Sequence, residues 1–265
     1  MKVYLKILTV FLWTGYCMTM GCKKSDVQAL KVDNSKPPLA IVPRNQLIPE
    51  QMGTGKTKMT YSYSADYSLC KIVYGDGTST ELEFTADGKP SYLTHYAGDD
   101  PTSLTQYKMD TKGQIISGTT YKITEDTYQM LRIFKILYKS DAQINTISYY
   151  DQHETLTKIE KWLYAENGNL IKTQNNDGLI TADFSYDDKN GLFKHVKYAW
   201  LFAIEEQNNL FQSGQNNISS CSYPSAVTRN QKISYTYNKD NYPENITSEV
   251  RAEKLSYKVT YKKLN

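Results

Sequence analysis

From Met59 onward the chain alternates apolar and polar residues with a period of two. Leu255, Tyr257, Val259 and Tyr261 alternate with Ser256, Lys258, Thr260 and Lys262, and Ile233, Tyr235 and Tyr237 with Lys232, Ser234 and Thr236. Side chains of a strand point to opposite faces in turn, so this pattern predicts half-buried antiparallel strands with one wet face. The middle reads differently. Leu131, Ile133 and Leu137 fall on one face and Phe134, Ile136 and Tyr138 on the other; Trp162 and Tyr164 oppose Ile159 and Leu163. These central strands are expected to be covered on both sides.

Tight-turn residues punctuate the alternation: Gly75-Asp76-Gly77, Asp87-Gly88, Asn167-Gly168, Asp177-Gly178 and Asn190-Gly191. Asn-Gly and Asp-Gly tolerate the positive φ that short hairpins need, so the strands they join should be neighbours. The predicted fold is all-β, a large antiparallel meander of β-hairpins forming a curved or rolled sheet of roughly ten to fourteen strands. At most one short helix is expected, at residues 198–207, with a polar loop at 208–217.

A degenerate repeat runs through the hairpins. Phe84-Thr85-Ala86-Asp87, Tyr107-Lys108-Met109-Asp110, Tyr138-Lys139-Ser140-Asp141, Tyr164-Ala165-Glu166-Asn167 and Tyr237-Asn238-Lys239-Asp240 share one form, an aromatic followed three residues later by Asp or Asn. Its spacing is too irregular for a strict solenoid. With Tyr186-Asp187-Asp188-Lys189-Asn190-Gly191, Asn216-Asn217-Ile218 and Tyr235 to Pro243, it resembles Bacteroides-type exported lipoproteins of unknown function. Those carry tyrosine–aspartate hairpin repeats distantly similar to those of RHS-type shell proteins. The resemblance spans about Tyr61 to Leu264. It implies a β-rich exported protein and transfers no catalytic residue.

The N-terminus reads as a leader. Lys2 and Lys6 precede an apolar run from Ile7 to Met20, too short for a membrane span of about 20 residues. A basic start, a short apolar stretch and a small residue before the cut describe a secretory signal. Thr19-Met20-Gly21-Cys22 resembles a lipobox with Thr19 in place of the usual aliphatic residue, and Gly21-Cys22-Lys23-Lys24 is similar to lipoprotein junctions of Bacteroides-type bacteria. The expected organisation is a lipoprotein signal peptide at 1–21, a lipid on Cys22, a flexible tether at 22–58 rich in proline, and an antiparallel β domain at 59–265. Cys17 would leave with the leader. As a coil, the tether would reach about 30–35 Å.

Composition adds two points. There are 23 tyrosines against 7 phenylalanines; a tyrosine ring fits a pleated surface while its hydroxyl stays wet, which argues for much solvent-facing sheet. Net charge is +3, and falls to near +1 once Lys2 and Lys6 leave. No basic bulk favours a nucleic-acid partner. Cys70 and Cys221 are the remaining cysteines. An oxidising compartment permits a disulfide between them; the alternative kept beside it is two buried free thiols.

Chemistry is hard to find. Glu50 to Thr57 ends like a phosphate-binding loop, in Gly55-Lys56-Thr57, but has Glu50 where its first glycine belongs and a strand pattern where its helix should start. His95, His153 and His195 are isolated, with no ligand-spaced partner for zinc. Asp99-Asp100, Asp187-Asp188 and Glu205-Glu206 are adjacent pairs rather than carboxyls facing each other across a cleft. Asp187 to Gly191 loosely suggests a calcium loop without the alternating ligands. The expectation is therefore an outer-membrane lipoprotein, periplasmic or surface-facing, without catalytic residues, metal or cofactor. Its partners would be the membrane through the lipid, and a glycan or another envelope protein through exposed tyrosines. A structural or assembly role is the alternative, and a hydrolase with a dispersed site ranks below both.

Overall fold

The computed structural model describes residues 46–264 apart from 126, 141, 142 and 207. Cys17, Cys22, the leader and most of the expected tether lie outside the described residues. The strands in chain order are β1 (Leu47–Met52), β2 (Met59–Tyr63), β3 (Leu69–Tyr74), β4 (Thr78–Phe84), β5 (Pro90–Ala97), β6 (Asp100–Met109), β7 (Ile115–Thr124) and β8 (Thr127–Ser140). There follow β9 (Gln143–Asp151), β10 (Leu156–Tyr164), β11 (Leu170–Gln174), β12 (Ile180–Tyr186), β13 (Ile218–Ser222), β14 (Gln231–Tyr237), β15 (Pro243–Val250) and β16 (Glu253–Lys263). One α-helix, α1 (Ala199–Glu205), lies between β12 and β13.

Each strand pairs antiparallel with its chain neighbours, and β1 pairs with both β2 and β16 to close a sixteen-stranded barrel. The expected rolled sheet is thus corrected to a closed one, and the expected tether is cut short, because residues 47–58 belong to the barrel. The closing strand is short and carries Pro49 at a point where the β1–β16 register slips. A proline lacks the N–H of a regular ladder and is tolerated at such bulges. Leu47, Ile48 and Met52 are nevertheless buried, Met52 in the interior core.

The hairpin turns use Asp and Asn side chains as backbone acceptors, at Asp110 of the repeat and at several other positions. At the β10–β11 tip, Gly168 (φ +87°) donates its N–H to Ala165 O at 3.0 Å and Ala165 donates to Asn169 O at 2.9 Å. Asn167-Gly168 is therefore at a hairpin tip, followed by a one-residue slip of the ladder. At four comparable turns an acceptor side chain takes backbone N–H groups two and four residues ahead: Asp110, Asp151, Asn175 and Asn238. Asn190-Gly191 departs from expectation. It joins no hairpin, and Gly191 donates its N–H to Gln215 O across the neck described below.

The barrel has one apolar side, its inside. Ile72, Leu82, Leu93, Phe134, Ile147, Ile233, Ile246 and Val259 point inward and are buried. The outward rows over β14, β15 and β16 run Lys232–Glu249–Lys254, Ser234–Thr247–Ser256 and Thr236–Asn245–Lys258. The expectation that the central strands are covered on both faces is also corrected. Leu131, Leu137 and Leu163 are 43%, 61% and 38% exposed on the outer wall, among Lys135 and Lys161, because nothing among the described residues packs on them.

Tyrosines line one rim. Tyr63, Tyr138, Tyr186, Tyr235 and Tyr261 end even-numbered strands, and each donates its hydroxyl to a carbonyl at the start of the preceding strand. The acceptors are Pro49 O, Ile115 O, Leu170 O, Ile218 O and Pro243 O, at 2.6–3.0 Å. Burial raises all five hydroxyls above the ordinary tyrosine range. Five of the tyrosines thus tie strand ends together from within, while others, such as Tyr128 at 65% exposure, face solvent.

Candidate ligand site inside the barrel

The segment between β12 and β13, residues 187–217, fills the bore. Tyr61 on β2 meets Phe193 edge-on at 5.7 Å and Phe84 on β4 meets Tyr198 at 5.8 Å. Ser68 bridges to Lys197. Helix α1 buries Leu201, Phe202 and Ile204. Glu205 reaches Arg132 on β8 and Asn209 reaches Gln231 on β14, and only an interior position lets one segment touch walls so far apart around the circumference. We call this segment the plug.

The plug enters and leaves at the tyrosine rim through a clasp. Asp187 N donates to Asn217 O at 3.0 Å, and Asn217 N returns a bond to Asp187 Oδ1 at 3.1 Å. Asn217, fully buried, also accepts Leu192 N at 2.9 Å and donates to Asn190 O at 2.8 Å. The Tyr237 hydroxyl donates to Asp187 as well. The loosely calcium-like stretch is therefore a neck, with Asp187 accepting protein donors.

The expected helix at 198–207 is found as α1, and its end points two carboxylates at neighbouring parts of the wall, Glu206 at β4 and β5 and Glu205 at β6 and β8. Glu205 accepts Arg132 Nη2 at 2.8 Å, with Thr105 Oγ1 and Tyr107 OH each at 3.3 Å. Its burial raises the carboxyl above the usual range, while Arg132 pulls the other way. Glu206 accepts Thr80 Oγ1 at 2.5 Å. Since that hydroxyl spends its proton on Glu206, the 2.9 Å contact between Thr80 and His95 Nδ1 makes His95 Nδ1 the donor. Carboxylates at a helix C-terminus oppose its dipole; the donors of the wall offset this.

The other sequence candidates lie apart. His153 sits exposed in the β9–β10 turn, and His195 pairs through Nε2 with the Tyr242 hydroxyl at 2.8 Å, its pKa lowered by burial and by Lys194. Cys70 on β3 is half-buried, Cys221 on β13 is buried, and both are free thiols; burial pushes Cys221 up to about 12. Residues 55–57 form a single 3₁₀ turn, not the start of a phosphate-binding helix. Among the described residues no three His, Cys, Asp or Glu gather as metal ligands.

Between plug and wall two cavities remain, one at each end. That at the tyrosine rim, about 550 Å³, is lined by Tyr138, Tyr164, Lys194 and Trp200. That at the opposite end, about 520 Å³, has an apolar floor of Trp162, Phe184 and Ile204. Its polar groups include Thr173, Thr181, Asn209 and Gln212, and Glu160, Lys158 and Arg229 also line it. Tyr149 OH donates to Glu160 at 3.3 Å, and Lys158 Nζ lies 2.7 Å from Glu160. Sequence reasoning missed this site, because its residues come from five strands, the plug and the loop between β13 and β14. The one available signal was the apolar helix pattern inside a polar stretch.

No protein-family model and no curated protein matches the sequence. Among solved structures, a porin-like protein from Bacteroides uniformis ATCC 8492 is 13% identical, with a TM-score of 0.51 over 83% of this chain and 98% of that one. A porin-like protein from Bacteroides vulgatus ATCC 8482 is 12% identical, with a TM-score of 0.40 over 83% of this chain and 100% of that one. The first shares the fold of this chain; at that identity the likeness extends to the fold alone.

Proposed function

We propose that this chain is an exported cell-envelope lipoprotein, anchored through Cys22, whose plugged barrel is a non-enzymatic binding module for a glycan or another surface protein. The observation that carries the reading is a filled bore, with a polar outer face over β14 to β16. A sixteen-stranded barrel of the porin kind holds an aqueous channel, and its outer wall carries an apolar band with aromatic girdles. Here Leu201 and Phe202 occupy the bore at 0% exposure, and lysines, serines and threonines face outward over β14 to β16. That arrangement suits a domain held in water beside a membrane and leaves the end cavities as the concave places for a ligand. The porin-like description of the structural neighbours supports an envelope setting, outer-membrane or periplasmic.

Two rival readings are weakened. An assembly role through sheet edges has no edge to use among the described strands, since β1 pairs on both sides. For a hydrolase, the most buried carboxylate, Glu205, is already engaged by Arg132, Thr105 and Tyr107. The experiment has two arms. Metabolic labelling with an alkyne fatty acid should mark the protein, and Cys22→Ser should abolish the mark; equal labelling of the variant overturns the anchor. The detergent-solubilised full chain on a glycan array should bind a subset of glycans, and a blank array overturns the glycan reading.

A further inference from the structure

The cavity away from the tyrosine rim has an unpaired cation at its exposed edge, on the loop between β13 and β14. Two of its three basic groups are matched: Arg132 by Glu205 at 2.8 Å and Lys158 by Glu160 at 2.7 Å. The third, Arg229, lies 4.8 Å from the centroid of the Tyr223 ring. Among the described residues no carboxylate forms an ion pair with it. Its segment is held in place: Arg229 N donates to Ala226 O at 2.8 Å, and Tyr223 N to Asn230 Oδ1 at 2.8 Å. Stacking covers one face of a guanidinium and leaves its in-plane N–H donors free, in the fork that a carboxylate or sulfate accepts bidentately.

The rest of the cavity sets the remainder of the ligand. Thr173 and Thr181, whose hydroxyls lie 2.7 Å apart, together with Asn209 and Gln212, offer both donors and acceptors above the apolar floor. A lipid tail would leave those polar groups unmatched, and a bare inorganic anion would leave the floor and most of the 520 Å³ unused. Rings with hydroxyl edges and apolar faces match both surfaces. We propose that this cavity binds an acidic saccharide, with its anionic group on Arg229 and its hydroxyls on the Thr173, Thr181, Asn209 and Gln212 side chains. The proposal rests on the binding-module reading and narrows it to anionic sugars.

The test is calorimetric titration of the full chain in detergent. The probes are uronic-acid oligosaccharides paired with their carboxyl-reduced counterparts, and sulfated oligosaccharides paired with their desulfated ones. At least one acidic member should bind about tenfold or more tighter than its neutral counterpart, by a margin that shrinks as salt rises. Whether the carboxylate or the sulfate pair shows the margin identifies the anion. Arg229→Gln should reduce the acidic member to the affinity of its neutral counterpart with unchanged melting, while Lys254→Gln on the outer wall should leave both affinities alone. Equal binding within every pair, or a preference that survives Arg229→Gln, overturns the inference while leaving a glycan-binding module in place. Absence of binding by any saccharide overturns both.

Discussion

Wall and plug occupy the same barrel but are held by different forces. The wall is a closed backbone ladder, and its rim tyrosines donate to backbone carbonyls. Those bonds depend little on which side chains face outward. The plug has one seven-residue helix and is positioned by individual side chains: Phe202 and Leu201 in the core, Glu205 on Arg132, Glu206 on Thr80, Asn217 in the neck. Closure is thus distributed and plug placement is concentrated, so equal changes in the two regions should have unequal effects.

The largest contrast is expected from Phe202→Ala against Lys258→Ala. Phe202 is fully buried, with its ring 5.7 Å from that of Phe211. Its truncation should cost about 3–5 kcal/mol through lost burial and the space left behind. Lys258 faces water on β16, and its truncation should stay within about 0.5 kcal/mol. Urea midpoints of the two variants measure the difference. Similar values would mean that the plug is not part of the cooperative core.

Next comes Glu205→Leu, which strands the Arg132 guanidinium and the Thr105 and Tyr107 hydroxyls. The Arg132 side chain is 29% exposed, so the cost should fall at or below the usual range for a broken buried pair, about 2–4 kcal/mol. Glu205→Gln gives a finer test. Burial raises the folded pKa of Glu205 above its unfolded value, so folding favours the protonated form. The Glu205 contribution is greatest below the unfolded value, about 4.3, and is lost as pH rises through the folded one. Relative to the parent, Glu205→Gln should therefore gain stability as pH rises above about 4. A constant gap in urea midpoints would show that Arg132 cancels the burial.

Much of the wall was legible because strand signals are local. Alternation placed β14 and β16, and Asn167-Gly168 marked a hairpin tip, since both depend on residues a few positions apart. Barrel closure was not legible: it turns on six residues around Pro49, where a bulge admits a residue that normally argues against a strand. The double apolar faces at Leu131 and Leu163 misled for a related reason, since periodicity reports which residues share a face and not what covers it. The tyrosines were read as solvent-facing because a ring fits a pleated surface while its hydroxyl stays wet, but at five of them carbonyls at strand starts take the hydroxyl inside the rim. The candidate site was least legible. Trp162, Thr181, Asn209 and Arg229 meet only after the barrel closes around the plug, and no spacing along the chain records that.

The smallest expected effect tests the wall at its own kind of bond. Tyr138→Phe removes one hydroxyl that donates to Ile115 O at 3.0 Å and leaves the ring in place. At neutral pH the loss should be about 1 kcal/mol, the net value of one such hydrogen bond. The pH dependence separates this bond from simple packing. Burial pushes the Tyr138 hydroxyl up to about 12, against about 10 in an unfolded chain. A raised folded value means that the contribution of the hydroxyl is complete below about pH 10 and is lost as pH rises through 12. The parent should therefore lead Tyr138→Phe by a constant margin from pH 7 to about 10, and the lead should shrink and then reverse above that. Urea midpoints at about pH 7, 10 and 11.5 would show the convergence. A margin that holds to pH 11.5 would mean that this hydroxyl ionises as easily in the barrel as in the unfolded chain, so that its bond to Ile115 O contributes to stability without burial raising its pKa.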